Sequence, residues 1–491
     1  MVDTSPRRSA RWFGFAQRMQ QMGLRPEEFS GRPLVAILNT WSELSPCHMH
    51  LRQRAEAVKR GVLLAGGYPV ELPLACVDSA AMLYRNLLSL ETEELLRSHP
   101  IDGAVLLGGC DSAVPGLLMG GISMDLPLIL CPGGASTTMT ASADALGLTL
   151  TGASSIPAVD PGHVRMASAC GARIVAMIAE DLRPSKLLTA RSFHNAMVTY
   201  MALGGSTDAA IHLIAMAGRA GIRLTLDNLA DVARVTPVCV NTMEDFFVAG
   251  GLPALLAKLG ERLDLECLTV EGRTLGQALA GAQCFAHDVI RGIDNPVVPL
   301  SRGRTLALLR GNLCPDGAVL KSAAAEPRLF QHEGAALVFD NHAELVARID
   351  DPDLEVDENT VLVLRNSGPV GAPGMPEWGN LPLPKKLLDR GVRDMVRISD
   401  ARVGSAPGGC CIVHAAPEAA IGGPLALVRT GDRIRLDVPS GRLDMLVDPV
   451  EIRRRSDEWR APESAYRRSY AALYQAHVGQ APQGCDFDFL K

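Results

Sequence analysis

No stretch of this chain approaches the ~20 uninterrupted apolar residues that a membrane-spanning helix needs. Nor does one sign of charge prevail: 48 Lys and Arg stand against 54 Asp and Glu, a formal net charge of −6, so there is no basic stripe for a nucleic-acid backbone. Neither nucleic acid nor a membrane is an expected partner. The GxxxxG spacings lack a following Lys-Ser or Lys-Thr, which removes a nucleotide-binding loop. His48 and His50 follow Cys47 but have no second pair at zinc-ligand spacing. The first residues, MVDTSPRRSARWFGF, carry arginines but no apolar core of signal-peptide length. The 12 cysteines are therefore expected as thiols in a reducing, cytoplasmic setting, not as a disulfide framework.

What is present is an ordinary globular composition, 491 residues with 47% hydrophobic and 21% charged, enough for two or three domains with sizeable cores. Apolar runs alternate with helical patterns as far as about residue 296: PLVAILN, then Leu51 to Ala65, then YPVELPL. That alternation predicts βαβ units around a parallel sheet. From Thr305 the pattern changes to short strands broken by Gly, Pro and Asp: TLALL, GAVLK, AALVFD, TVLVLR, GCCIVHA and DRIRLDV. Strands at such spacing predict a β-rich unit, and a barrel in particular. The expected fold class is α/β, with an N-terminal α/β/α domain over 1–296 and a β-barrel-like C-terminal domain over 297–491, joined near Asn295-Pro296.

Two segments carry chemistry. In GGCDSAVPGLLMG (108–120), Cys110 and Asp111 stand at the end of the apolar run Ile101 to Leu107. Thiolate sulfur suits an iron–sulfur cluster or zinc and carboxylate oxygen suits magnesium, so two neighbouring groups of different chemistry are implied. Alone, the pair reads equally well as a buried thiol and a turn aspartate. In NTWSELSPCHMHLR (39–52), Cys47 follows the apolar run Leu34 to Leu38 in the same manner. Two strand-end cysteines favour a shared site.

Together with AMLYRNLLSLETEELL (81–96), IPAVDPGHVRMA (156–167), FHNAMVTYMALGGSTDAAIHLIAMAGRAGI (193–222), GNLCPDGAVLK (311–321), SGPVGAPGMPEWGN (367–380), DMVRISDAR (394–402) and HAAPEAAIGGPLALV (414–428), these segments make the chain resemble the dihydroxy-acid and sugar-acid dehydratases. That family includes the 6-phosphogluconate and pentonate dehydratases, and the resemblance runs over nearly the whole chain. It implies a hydro-lyase that converts a polyhydroxy acid to a 2-keto-3-deoxy acid. In such enzymes three cysteines hold a [2Fe–2S] cluster whose open iron removes the 3-hydroxyl, magnesium binds the carboxylate and 2-hydroxyl, and a base takes the C2 proton. By position, Cys47 and Cys110 match cluster ligands, while Asp111, Glu377 of GMPEWGN and, across a gap, Asp78 match magnesium ligands. The resemblance also implies two domains meeting over the active site and assembly as a homodimer or homotetramer. The wording of 39–52 and of AMLYRNL resembles the sugar-acid branch, so an aldonic acid is the expected substrate.

The departures cluster around the same chemistry. Relatives read CDK, with a lysine that is commonly carbamylated, where this chain has Ser112, which brings no negative charge to a cation. The stretch that carries the third cluster cysteine in relatives is deleted, because LPLILCPGG runs almost directly into ASTTMTASADALG. Cys131 lies nearby and has two readings, a substitute ligand or a buried strand cysteine. Relatives read SDARMSGTxxG with serine as the base; here Gly404 takes that position and Ser405 follows one residue later, a Cα step of about 3.8 Å. VNTMEDFF is also shortened, and Asp208 replaces the asparagine that follows GGST in relatives. His212 reads as a packed histidine, Cys410-Cys411 as core, and Ser206 or Thr207 as a helix cap. Three readings stay open: a hydro-lyase with a rebuilt site, a non-catalytic paralogue, and a cluster-free enzyme with a metal at Asp78, Asp111 and Glu377.

Overall fold

The computed structural model describes residues 6–76, 81–134, 137–241, 245–404 and 408–490. The chain gathers into two units, the first from Met1–Asp78, Tyr84–Thr199 and Thr242–Ile290, the second from Ser79–Leu83, Tyr200–Asn241 and Arg291–Lys491. Segment 200–241, which the sequence pattern groups with the N-terminal half, belongs to the second unit. Hydrogen bonds explain its place there: Thr305 Oγ1 donates to Met201 O at 2.7 Å, and the buried pair Arg219–Asp486 closes at 2.6 Å.

The first unit is built on four parallel strands, β1 (Leu34–Asn39), β2 (Tyr68–Pro73), β3 (Gly103–Gly108) and β4 (Leu128–Pro132), in the order β2-β1-β3-β4. Every residue of β1, β3 and β4 is buried, which is why these runs are apolar throughout instead of alternating. The connecting helices are α1 (Leu51–Leu64), α2 (Ala81–Ser98), α3 (Ala113–Met124), α4 (Thr138–Ala145) and α5 (Pro161–Glu180). In α1 the stripe Leu51, Ala55, Val58 and Val62 is buried, a helical period that turns one face inward, and α1 packs on α5. The chain leaves β1 for β2 on one side, whereas β3 and β4 lie on the other. Strand order therefore reverses between β1 and β3, and a crevice outside the carboxyl ends of the strands is expected there.

The second unit holds one mixed sheet of eight strands: β5 (Ala307–Leu309), β6 (Gly317–Leu320), β7 (Gln331–Phe339), β8 (Val361–Leu364), β9 (Arg397–Ser399), β10 (Cys411–Ala416), β11 (Arg433–Asp437) and β12 (Arg442–Met445). Their order is β12-β11-β7-β8-β9-β10-β6-β5. The two ends are sewn together just beyond β5. Leu443 N–H donates to Arg310 O and Arg310 N–H to Gly441 O, both at 2.9 Å, while the Asn312 amide accepts from Met445 N at 2.7 Å and donates to Met445 O at 2.8 Å. The sheet thus curls into a nearly closed barrel around Leu309, Leu320, Val361, Ile398, Ile412 and Ile434. Two helices matter for the site, α6 (Ala190–Leu203) and α7 (Asp208–Arg219). Among the described residues no helix is long and apolar enough to cross a membrane.

Candidate active site

In the first unit the site grows from the carboxyl ends of β1 and β3. Thr40, just past β1, donates through Oγ1 to Leu107 O at 2.8 Å, and the buried His48 ring binds Thr40 O through Nδ1 at 2.9 Å. A carbonyl only accepts, so Nδ1 carries the proton and His48 is a structural tie that folds the 40–50 loop over the strand ends. That tie sets Cys47. A Cβ added at Gly109 would lie 2.5 Å from Cys47 O, and one at Gly133 would lie 2.8 Å from the Gly109 Cα and 3.2 Å from Cys47 O. Glycine at 109 and 133 thus lets three segments, those after β1, β3 and β4, touch backbone to backbone, and it brings Cys47 against the residue preceding Cys110.

Cys110 sits at the N-terminus of α3. Its Sγ accepts the Ala113 N–H at 3.3 Å and lies 3.5 Å from Ser112 Oγ, contacts that favour a thiolate. Asp111, next to it, accepts the Met139 N–H of α4 at 3.2 Å through Oδ1. Cys131 is placed otherwise. It is fully buried in β4 with its sulfur 3.8 Å from Met166 Sδ, beside Cys170, whose thiol is pushed well up by the hydrogen bond to Cys131 and by burial. The Cys131 thiol thus faces α5 in the core. His50 and His163 stand ring against ring, centroids 5.8 Å apart, and Cys410 and Cys411 are buried in the barrel, as a packing role requires.

In the second unit Glu377 is half-exposed and its Oε1 accepts from Arg402 Nη1 at 2.9 Å. Arg402 is itself buried. Its Nη1 also meets Asp208 Oδ2 at 2.5 Å, and its Nε donates to Met375 O at 2.7 Å. Burial pushes the Asp208 carboxyl up, but the Arg402 guanidinium and then His414 outweigh it, so the group lies below its usual range. Asp208 is thus held inside the unit by a cation at Oδ2, while its Oδ1 lies 3.6 Å from His414 Nε2. Gly404 lies against Glu377: a Cβ there would come 2.1 Å from Glu377 Oε2. The contact is with the far end of a half-exposed, flexible side chain, which can swing away from a larger residue at 404. Asp78 and Ser405 lie outside the described residues.

The donor types fit the groups that the resemblance implies. Cys47 and Cys110 are partly exposed thiols on touching loops, as an iron–sulfur cluster requires, and Asp111 and Glu377 offer the oxygen that magnesium takes. Among the described residues no three His, Cys, Asp or Glu side chains converge on the position of a single ion. Sequence reasoning passed over Arg402, which carries no signal of its own in the mixed segment RISDARV, and Cys76, which follows the run of β2 as Cys47 follows β1 and Cys110 follows β3.

The family profile described as dihydroxy-acid/6-phosphogluconate dehydratase N-terminal matches residues 32–138 and 134–278, and its C-terminal counterpart matches 288–485. The chain is similar to the 6-deoxy-6-sulfo-D-gluconate dehydratase of Pseudomonas putida, 55% identical over 99% of this chain and 96% of that protein. It is also similar to the L-arabinonate dehydratase of Rhizobium leguminosarum bv. trifolii, at 41% over 99% and 96%, and to the dihydroxy-acid dehydratase of Acetivibrio thermocellus, at 33% over 94% and 95%. The alignment with the Pseudomonas protein spans 557 positions against 491 residues here, so that relative has segments which this chain lacks. The N-terminal profile breaks off and restarts at 134–138, where LPLILCPGG meets ASTTM.

Proposed function

The chain belongs to the dihydroxy-acid/6-phosphogluconate dehydratase family and is a hydro-lyase of polyhydroxy acids, and from that premise we propose that its own substrate is an aldonic acid. The observation that carries this reading is the gradient of identity at full coverage: 55% and 41% to two sugar-acid dehydratases against 33% to a dihydroxy-acid dehydratase. The reaction removes the C2 proton and the C3 hydroxyl as water and leaves a 2-keto-3-deoxy acid.

In this reading Cys47 and Cys110 hold a [2Fe–2S] cluster, and Asp111 and Glu377, with Asp78, hold magnesium. When bound, these groups supply an electrophile for the departing hydroxyl and a cation for the substrate carboxylate. The protein's own part begins at Cys110, where the Ala113 N–H and the helix N-terminus stabilise a sulfur anion. Ser112 contributes a hydroxyl and no charge, so the cation is held by fewer anionic ligands than in relatives with lysine carbamate. Arg402 fixes one oxygen of Glu377 and leaves the other facing Gly404. Ser405 is the proposed proton acceptor at C2. Cytoplasmic location and a homodimer or homotetramer complete the proposal.

Anaerobically reconstituted protein, supplied with magnesium, tests the substrate class by 2-keto acid formation. The expected result is turnover of 6-deoxy-6-sulfo-D-gluconate or another aldonate at least about tenfold faster in kcat/KM than of a branched 2,3-dihydroxy acid, a difference of about 1.4 kcal/mol in the barrier. The opposite order would overturn the reading. Light scattering tests assembly: a mass of 52.2 kDa, that of one chain, would overturn the oligomer.

A further inference from the structure

We propose that Cys76 supplies the third thiolate of the cluster site, in place of the cysteine segment that this chain has lost. The inference rests on the cluster reading above and adds to it a residue that the family pattern does not assign.

Of the twelve thiols, eight are buried, and only Cys47, Cys76, Cys110 and Cys284 reach the surface in part. Cys284 is occupied locally, its Sγ lying 3.5 Å from Ala286 O and 3.8 Å from Ile290 O. The other three stand beyond the carboxyl ends of β1, β2 and β3, three adjacent strands in the order β2-β1-β3. Leu74 N–H donates to Asn39 O at 2.9 Å, so the chain leaving β2 stays beside the end of β1 and delivers Cys76 two residues later. Cys76 and Cys110 then line one pocket, with Ala75, Tyr84, Arg85 and Ser112 among its walls. Arg85 is wholly buried among these walls, its guanidinium donating to Asn86 Oδ1 at 2.8 Å. Cys131, the other candidate near the deletion, faces Met166 in the core and does not reach this pocket.

The three cysteines need not surround one point, because a cluster of two irons takes its ligands on separate metals.

The test is anaerobic reconstitution of the wild-type chain, Cys76→Ser, Cys131→Ser, Cys47→Ser and Cys110→Ser. The readouts are iron, acid-labile sulfide and visible charge-transfer absorption, with Tm of each iron-free protein as the check on folding. The proposal expects about two irons per wild-type chain. It expects Cys131→Ser to keep them, and Cys76→Ser to lose cluster retention at least about tenfold, as Cys47→Ser and Cys110→Ser do. A second readout uses only the wild-type protein. Iodoacetamide labelling mapped by mass spectrometry should modify Cys76 in the iron-free form and spare it in the loaded form, while Cys284 reacts equally in both. If Cys76→Ser retains iron and sulfide while Cys47→Ser and Cys110→Ser lose them, the role of Cys76 is overturned and the cluster reading stands. A wild-type chain that takes up no iron overturns both.

Discussion

Arg402 joins two carboxylates of different character, a buried Asp208 and a half-exposed Glu377, and the cost of removing it follows from that asymmetry. Arg402→Met leaves a buried carboxylate without its cation, an effect of about 3–5 kcal/mol, so Tm should fall by about 10 °C. Combining it with Asp208→Asn, which removes the stranded charge, should restore at least half of that loss; a double variant no more stable than the single one would refute the pairing. His163 gives a pH prediction. Burial first, and then the Arg54 guanidinium, whose Nε donates to His163 Nδ1 at 2.9 Å, bring its pKa down to about 4. In the unfolded chain the ring titrates near 6.5, so between about 4 and 6.5 the unfolded state binds the extra proton and stability rises with pH. Over that window the wild-type Tm should climb more steeply than that of His163→Gln; parallel profiles would remove the argument.

At the level of elements, two side chains act as fasteners. Asp144, at the end of α4, accepts from Ser154 Oγ at 2.7 Å and from the N–H groups of Gly152 and Ser154, tying the helix to the turn at 152–155. Burial nevertheless pushes its pKa up to about 6. Asp144→Ala strands three donors and should cost about 2–4 kcal/mol, read as a fall in Tm. Asn312 does the same for the barrel seam, and Asn312→Ala, which frees both the N–H and the carbonyl of Met445, should cost about 2–3 kcal/mol. A loss below about 0.5 kcal/mol in either variant would show that water replaces the bond. The six barrel strands foreseen from apolar runs are all present, because a strand buried on its inner face writes its period into the sequence. β9 and β12 were not legible. β9 has only three residues, and β12 alternates Arg442 and Asp444 with Leu443 and Met445, too short a pattern to stand out from a loop.

For the whole molecule, family and fold were legible because the matching segments are scaffold, spread over nearly the entire length. The site was legible only in part. Cys47 and Cys110 carry a motif, whereas the packing that turns Cys131 inward depends on Met166 and Cys170, 35 and 39 positions further on in sequence, and no local pattern records it. Likewise the approach of Glu377 to Gly404 joins segments 27 positions apart.

The seam beyond β5 also bears on synthesis. β5 finds its inner neighbour, β6, almost as soon as both have been made, but its outer edge is completed only by residues near 442–445, more than a hundred positions later. A nascent chain emerging from the ribosome must therefore carry an open strand edge until the last strand arrives, and during that interval it is exposed to mispairing with neighbouring chains.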